Sequence, residues 1–94
     1  MEPEKYRTVI YSEDVERFVD SCAGQYARFQ ELWDALEMLL SRKPEVGMRV
    51  PYPGEKDWRV VQTAAWPHQG VPVVELGYWY TDGEVHFEFC RIKP

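Results

Sequence analysis

The first 25 residues of the chain show a short strand pattern followed by a helical one. Residues 6–11, YRTVIY, are rich in β-branched and aromatic side chains, which predicts a first strand. Ser12 stands where a helix N-cap belongs, with two acidic residues after it, and Gly24 is placed to end the helix in a left-handed cap. The apolar positions between them follow helical spacing: Val15, Phe18, Val19 and Cys22.

Residues 26–43 predict a second, longer helix, because their apolar positions form one broad stripe. Arg42 and Lys43 complement the negative end of its dipole, and Pro44 ends it. The stripe comprises Tyr26, Phe29, Leu32, Trp33, Leu36, Leu39 and Leu40. The first half of the chain is therefore a strand followed by a two-helix hairpin, and each helix has one apolar face that a sheet must cover.

The second half of the chain has the alternation and the turn residues of an antiparallel sheet. Residues 44–57 contain three prolines and two glycines, which predicts a loop with a short edge strand at 48–50. Three further strands are predicted at 58–65, 71–81 and 84–92. Loop 66–70 joins the first two, and Asp82-Gly83 forms a hairpin turn between the last two. We therefore expect one α+β domain over residues 1–94, with an antiparallel meander of three or four strands.

A two-residue reversal at Asp82-Gly83 sets the register of the last hairpin by counting outward. The opposed pairs are Tyr80 with Val85, Trp79 with His86, Tyr78 with Phe87, and Leu76 with Phe89. One face is predicted to meet the helices and carries Val74, Leu76, Tyr78, Tyr80, Val85, Phe87 and Phe89, with Arg91 at its far end. The other face, where function is predicted, carries Val73, Glu75, Gly77, Trp79, His86, Glu88 and Cys90.

His86 and Glu88 are the candidates for acid-base chemistry on this second face. A histidine held by a carboxylate can act as a general base or acid near neutral pH. The alternative is a solvated sheet face on which Trp79 and His86 form an ordinary cross-strand pair. Trp79 is also a candidate binding anchor, since exposed Trp and Tyr side chains serve that role at interfaces.

Three basic residues, Arg49, Lys56 and Arg59, lie in the loop or just after it. Together they are candidates for binding one or two phosphates. Arg59 shares a face with Val61 and Thr63, and its alternative role is a surface salt bridge.

Composition and charge narrow the function classes. The 94 residues are 45% hydrophobic with a net charge of −5, and residues 1–40 hold nine Asp or Glu against four Lys or Arg. Such a chain lacks the basic excess of nucleic-acid-binding proteins. Two distant cysteines, two histidines and no glycine-rich nucleotide motif predict no disulfide, metal or cofactor. The absence of a signal peptide or membrane-spanning pattern predicts a cytoplasmic protein.

The order strand, two-helix hairpin, antiparallel meander resembles the RelE/ParE superfamily of bacterial toxin-antitoxin toxins. The segments that carry the resemblance are YRTVIYSEDVERFVD, LLSRKPEVG, DWRVV, VPVVELGYWY and DGEVHFEF, which together span nearly the full chain. The resemblance implies a toxin whose antitoxin partner wraps it with a helix or a strand. It also implies one of two activities: metal-independent, ribosome-dependent mRNA cleavage, or inhibition of a topoisomerase.

In the mRNA-cleaving branch, the resemblance implies that Arg59 is catalytic, that Arg49 is a basic residue before it, and that His86 or Arg91 acts from the last strand. Together with the residue-based candidates, this predicts a catalytic set of Arg59, His86, Glu88 and Arg91, with Arg49, Lys56 and Trp79 binding substrate. The chain departs from that branch in its acidic charge, and it ends in RIKP without the tail that supplies a catalytic tyrosine. The alternative is a non-catalytic protein-binding member, either a topoisomerase inhibitor or an inert interaction domain. An unpaired edge strand would also allow a homodimer.

Overall fold

Two helices and five strands make up the part of the chain that the computed structural model describes, residues 6–63 and 71–93. The strands are β1 (Thr8–Tyr11), β2 (Met48–Arg49), β3 (Trp58–Gln62), β4 (Val74–Tyr80) and β5 (Glu84–Ile92). The helices are α1 (Glu13–Gln25) and α2 (Phe29–Arg42), followed by a one-turn 3-10 helix at Pro44–Val46. The predicted α+β class is confirmed. The predicted loop at 66–70 lies outside the described residues.

The five strands form one sheet in the order β1-β5-β4-β3-β2. Strands β2 to β5 form the predicted antiparallel meander. β1 instead pairs in parallel with β5, placing Val9 opposite Val85 and Tyr11 opposite Phe87. The sheet is therefore mixed, and the prediction of a purely antiparallel sheet is wrong. Parallel neighbours need a long crossover, which the helices and the meander between β1 and β5 provide.

Helix α1 begins as predicted and ends differently. The Ser12 hydroxyl oxygen accepts a hydrogen bond from the Val15 N–H at 3.2 Å, so the predicted N-cap is confirmed. Gly24 lies inside the helix, and the next residue after the helix, Tyr26, is extended and donates its N–H to the Cys22 carbonyl at 2.9 Å. The predicted left-handed cap is wrong. Among the described residues only Gly54 has a positive φ, 115°.

Helix α2 buries most of the predicted apolar stripe against the sheet, although Tyr26 lies before the helix and Leu39 is only half-buried. Trp33 is its central side chain: the ring stacks on Phe29 at 5.6 Å between centroids and meets Phe87 edge-on at 5.7 Å. Its Nε1–H donates to the Tyr11 hydroxyl at 2.6 Å, which satisfies the indole inside the core. Both helices thus cover the same face of the sheet, and neither described helix has an apolar stretch long enough to cross a membrane.

The reversal between β4 and β5 has the predicted length. The Thr81 N–H donates to the Glu84 carbonyl at 2.9 Å, which leaves Asp82 and Gly83 as the two turn residues. The Thr81 hydroxyl also accepts from the N–H groups of Gly83 and Glu84, at 3.3 and 3.1 Å. The predicted pairs of Tyr80 with Val85, Trp79 with His86 and Tyr78 with Phe87 are all confirmed.

A β-bulge changes the register beyond Tyr78. Gly77 pairs with Phe89 and Leu76 pairs with Cys90, so Glu88 is an extra residue on β5 and the predicted pairing of Leu76 with Phe89 is wrong. The physical reason is the absence of a side chain at Gly77, because the Phe89 ring occupies the space that a Cβ there would fill.

The bulge exchanges the predicted faces of three residues. Phe89 and Arg91 lie on the face away from the helices, since their partners Gly77 and Glu75 do. Cys90 turns toward the helices and packs against the core, where burial raises the pKa of its thiol to about 12. The predictions that put Phe89 and Arg91 on the core face and Cys90 on the other face are therefore wrong.

Candidate functional site: the open face of the sheet

We call the sheet surface that points away from the helices the open face. Its residues form cross-strand rows, because paired residues share a face. One row is Trp58, Trp79 and His86; the next is Val60, Gly77 and Phe89; the third is Gln62, Glu75 and Arg91. The open face is thus aromatic and apolar in its first two rows and charged in the third.

Trp79 and His86 form a tight stack in the first row. Their rings lie 3.8 Å apart between centroids with an interplanar angle of 4°. Lys56 also reaches this row, with its Nζ 4.1 Å from the centre of the Trp79 ring, a cation-π distance. The predicted candidates Lys56, Trp79 and His86 are therefore brought together.

The carboxylate beside His86 is Glu84. The Nε2 of His86 lies 3.1 Å from the Glu84 Oε1, whereas the Glu88 Oε1 accepts the Trp79 Nε1–H at 3.2 Å. The predicted pairing of His86 with Glu88 is wrong because the bulge gives Glu88 a different position from that expected by alternation. An imidazole beside a carboxylate retains the capacity to exchange a proton, now with Glu84 as the partner.

Arg59 lies on the opposite side of the sheet from this stack. It pairs with Tyr78, which is fully buried under the helices. Its Nη1 donates to the carbonyls of Glu45 and Gly47, both at 2.9 Å, and its Nη2 donates to the Asp57 Oδ2 at 3.2 Å. The side chain is 18% exposed. Arg59 therefore forms a salt bridge, as in the alternative interpretation, but a largely buried one and not one at the surface, and the sheet separates it from His86.

Asp57 joins Arg59 to Tyr80 of β4. The Tyr80 hydroxyl donates to the Asp57 Oδ2 at 3.1 Å, and the Arg49 Nε lies 3.5 Å from the Oδ1. Burial raises the pKa of Asp57, but hydrogen bonds from Arg59 and Tyr80 and the charges of the two arginines outweigh burial and hold that pKa below its usual value. Arg49 therefore belongs to this cluster and not to the open face.

Tyr78 completes the attachment of the 3-10 turn to the sheet. Its hydroxyl donates to the Pro44 carbonyl and accepts the Gly47 N–H at 3.0 Å. Burial raises the pKa of Tyr78 to about 12, so the hydroxyl keeps its proton and donates. Arg59 and Tyr78 thus hold the 3-10 turn and Gly47 against the sheet, and Asp57 contacts Arg49 of β2.

Glu75 and Arg91 form an ion pair at the other end of the open face. The Glu75 Oε1 accepts from the Arg91 Nε at 2.8 Å, and its Oε2 accepts from the Gln62 Nε2 at 2.8 Å, with the Lys93 Nζ 3.8 Å away. Burial raises the pKa of Glu75, but these hydrogen bonds and the two positive charges outweigh it, so its pKa lies below the usual value.

An open groove of about 520 Å³ runs beside this ion pair. Its apolar walls are Val50, Pro51, Tyr52, Val60 and Phe89. The Tyr52 ring also packs edge-on against Trp58, with 5.3 Å between centroids, so the loop after β2 borders the open face. No group of three or more His, Cys, Asp or Glu side chains within residues 6–63 and 71–93 is arranged to hold a metal ion.

No family model matches the chain, and comparison with curated proteins and with solved structures also yields no match. The resemblance to RelE/ParE toxins therefore stays a prediction.

The sequence reasoning missed three of the residues that organise this region: Asp57, Tyr78 and Glu84. One signal was available for Asp57, because it stands two positions before Arg59 and so shares its side of β3. Tyr78 was assigned to the core, and its hydrogen bonds to the 3-10 turn depend on the path of the connecting segment, which no local pattern reveals.

Proposed function

We propose that this chain is a non-catalytic, RelE/ParE-like toxin that acts by docking its open face on a protein target. A topoisomerase is one such target, and a cognate antitoxin would mask the same surface. The observation that carries the proposal is the placement of Arg59, which is bonded on the helix side of the sheet while the open face presents an aromatic row.

The predicted catalytic residues are divided among three places. Arg59 lies across the sheet from His86, and Arg91 lies two rows along the open face, paired with Glu75. Catalysis of RNA cleavage needs acid, base and cationic groups within hydrogen-bond reach of one phosphate. This distribution therefore favours binding over cleavage.

The side chains of the open face suit a protein interface. Trp58 and Trp79 are half-buried in a cross-strand row, and Met48 and Tyr52 at the border are 76% and 52% exposed. Trp, Tyr and Met are enriched at interfaces, and contiguous exposed apolar surface marks an interaction site.

The charge of the open face disfavours an RNA ligand. Glu84 and Glu88 flank the Trp79–His86 stack, and the whole chain carries a net charge of −5. Binding of a phosphate backbone gains most of its affinity from basic groups, and at the stack the two carboxylates outnumber the one cation, Lys56.

Cleavage of mRNA is the second candidate, and the His86–Glu84 contact is the observation that favours it. An imidazole held at 3.1 Å by a carboxylate on an accessible sheet face is a suitable general base. Stacking of a nucleobase on the Trp79 row would then position the substrate.

Induced expression in a growing bacterium separates these candidates. We expect growth arrest with the wild-type chain and loss of arrest with Trp79→Ala, which removes the centre of the aromatic row. His86→Phe keeps a flat ring against Trp79 but removes the imidazole nitrogens, so it should still arrest growth. Met38→Ala, which alters an exposed side chain on α2, is the matched control and should also arrest growth.

Mapping of mRNA 5′ ends in the same cultures distinguishes the two mechanisms. Arrest that disappears in His86→Phe together with new mRNA ends in the wild type would replace the binding proposal by the cleavage one. Normal growth with folded wild-type protein would refute both toxic activities.

A further inference from the structure

The rows of the open face are arranged symmetrically about their middle. The middle row is Val60, Gly77 and Phe89, with the Trp79 row on one side and the Glu75 row on the other. One step beyond the Trp79 row lies Glu84, opposite Thr81; one step beyond the Glu75 row lies Lys93, whose N–H donates to the Val73 carbonyl at 2.8 Å. Glu84 and Lys93 therefore each lie two rows from the middle row.

The two ends of the open face carry opposite charges. Glu84, with a side chain 48% exposed, lies at the first end beside Glu88. Arg91 and Lys93, with side chains 65% and 42% exposed, lie at the second end, where Glu75 contacts both. Glu84 and Glu88 against Lys56 leave one negative charge at the first end, and Arg91 and Lys93 against Glu75 leave one positive charge at the second. A rotation of 180° about the middle row therefore superimposes each end on the end of opposite charge.

We propose that the open face binds a second copy of this chain, face to face, about a two-fold axis along the middle row. In that arrangement Glu84 of each copy meets Lys93 of the other, His86 of each copy meets Arg91 of the other, and Trp79 meets Glu75. A two-fold interface requires such self-complementarity, since each contact occurs twice.

The size of the open face sets the strength of this dimer. β5 has nine residues, which is about 30 Å at the usual rise of a strand, and five strands about 5 Å apart span about 20 Å. The area is at most about 600 Å², because β1 and β2 are shorter than β5, and this is smaller than the typical contribution of one partner to a stable complex. We therefore expect a dissociation constant on the order of micromolar. The inference rests on the proposed function only in using the same face for docking.

Sedimentation velocity of the purified protein, from about 1 to 100 µM, tests the dimer. We expect a concentration-dependent shift from monomer to dimer. Glu84→Lys and Lys93→Glu each place like charges opposite one another twice per dimer, and each should weaken dimerisation at least about tenfold. Trp79→Ala should weaken it as well, whereas Met38→Ala on α2 should not change it.

Mixing the two charge variants is the decisive test of the dimer. A heterodimer of Glu84→Lys with Lys93→Glu restores opposite charges at both contacts, so the equimolar mixture should dimerise when neither variant does alone. Thermal melts of each variant check that it is folded. A folded wild-type chain that stays monomeric at every concentration, or a mixture that fails to dimerise, would overturn the proposal.

These outcomes are independent of the growth assay. A dimer in solution without growth arrest would support the proposed dimer and refute the proposed toxic activity. Growth arrest by a strictly monomeric chain would support the toxic activity and refute the dimer.

Discussion

Gly77 and Phe89 show how a single residue defines the composition of the open face. Phe89 covers the position where a side chain at residue 77 would stand, and the bulge beside this pair turns Phe89 and Arg91 away from the helices. The groove beside Glu75 has Phe89 as one wall. The absence of one Cβ therefore decides which side chains line the groove.

Substitution at two glycines should change stability in opposite directions. Gly77→Ala forces the Phe89 ring to move and should lower the free energy of unfolding by about 1–3 kcal/mol, as overpacking does. Gly24→Ala lies inside α1 with no atom within 4 Å of the new Cβ, so it should raise that free energy by about 0.5–1 kcal/mol. Urea unfolding measures both, and a neutral Gly77→Ala would contradict the close approach.

At the scale of helices and strands, one side chain, Ser12, forms hydrogen bonds that join a helix to a strand. Ser12 caps α1 through its bond with Val15, and the same hydroxyl donates to the Glu88 carbonyl at 2.7 Å. It thereby connects the start of α1 to the bulge in β5. The junction between β1 and α1 consequently holds the irregular residue of the last strand.

Ser12→Ala should therefore lower the free energy of unfolding by more than the removal of an average exposed N-cap does. We expect the free energy of unfolding to fall by about 1–2 kcal/mol, because both the Val15 N–H and the Glu88 carbonyl lose a partner. Ser12→Thr retains a hydroxyl that can make both bonds and should stay close to the wild type. Chemical unfolding monitored by Trp fluorescence provides the comparison, and equal stability of the alanine and threonine variants would argue against the double role.

The sequence predicts the pairing of strands that are neighbours along the chain well, and the pairing of strands far apart along the chain poorly. The register from Tyr80 to Tyr78 followed from the turn, because each backbone pair positions the next. The bulge did not, although an isolated glycine in a strand, Gly77, was its available signal. The parallel pairing of β1 with β5 joins opposite ends of the chain and has no local signal at all.

The candidate site was predictable to a similar extent. Alternation placed Trp79 and His86 together, and it correctly grouped Arg59 with Val61 and Thr63. It did not show that this group faces the helices. That requires the register of β3 against β4, and this register depends on how many residues of the connecting loop lie outside the two strands, which the sequence does not show.

At the scale of the whole molecule, two carboxylates within residues 6–63 and 71–93 have charges that the fold stabilises, one on each side of the sheet. Asp57 anchors the arginine cluster under the helices, and Glu75 anchors the charged row of the open face. Both have pKa values below their usual values. A carboxylate with a lowered pKa in the folded state favours folding above its unfolded pKa, and that contribution is lost as the pH falls through the folded pKa.

The protein should therefore lose stability on the acid side. We expect the free energy of unfolding to decline from the usual carboxylate pKa values of 3.8 for Asp57 and 4.5 for Glu75 downward. Asp57→Asn and Glu75→Gln should each flatten this decline. Glu37→Gln is the control with the opposite sign, because burial raises the pKa of Glu37 and its ionisation above that pKa costs stability. Urea unfolding at a series of pH values measures all four chains, and an unaltered slope in both variants would contradict the lowered pKa values.

The pairing of the first strand with the last also bears on how the protein is made. During translation α1 and α2 leave the ribosome long before β5, so Phe29, Trp33 and Leu36 have no complete sheet to cover them until β5 has been synthesised. Nascent chains and truncated products lacking the last strand present this apolar surface to the cell. Chaperone capture and proteolysis should consequently act on the incomplete polypeptide far more than on the released one.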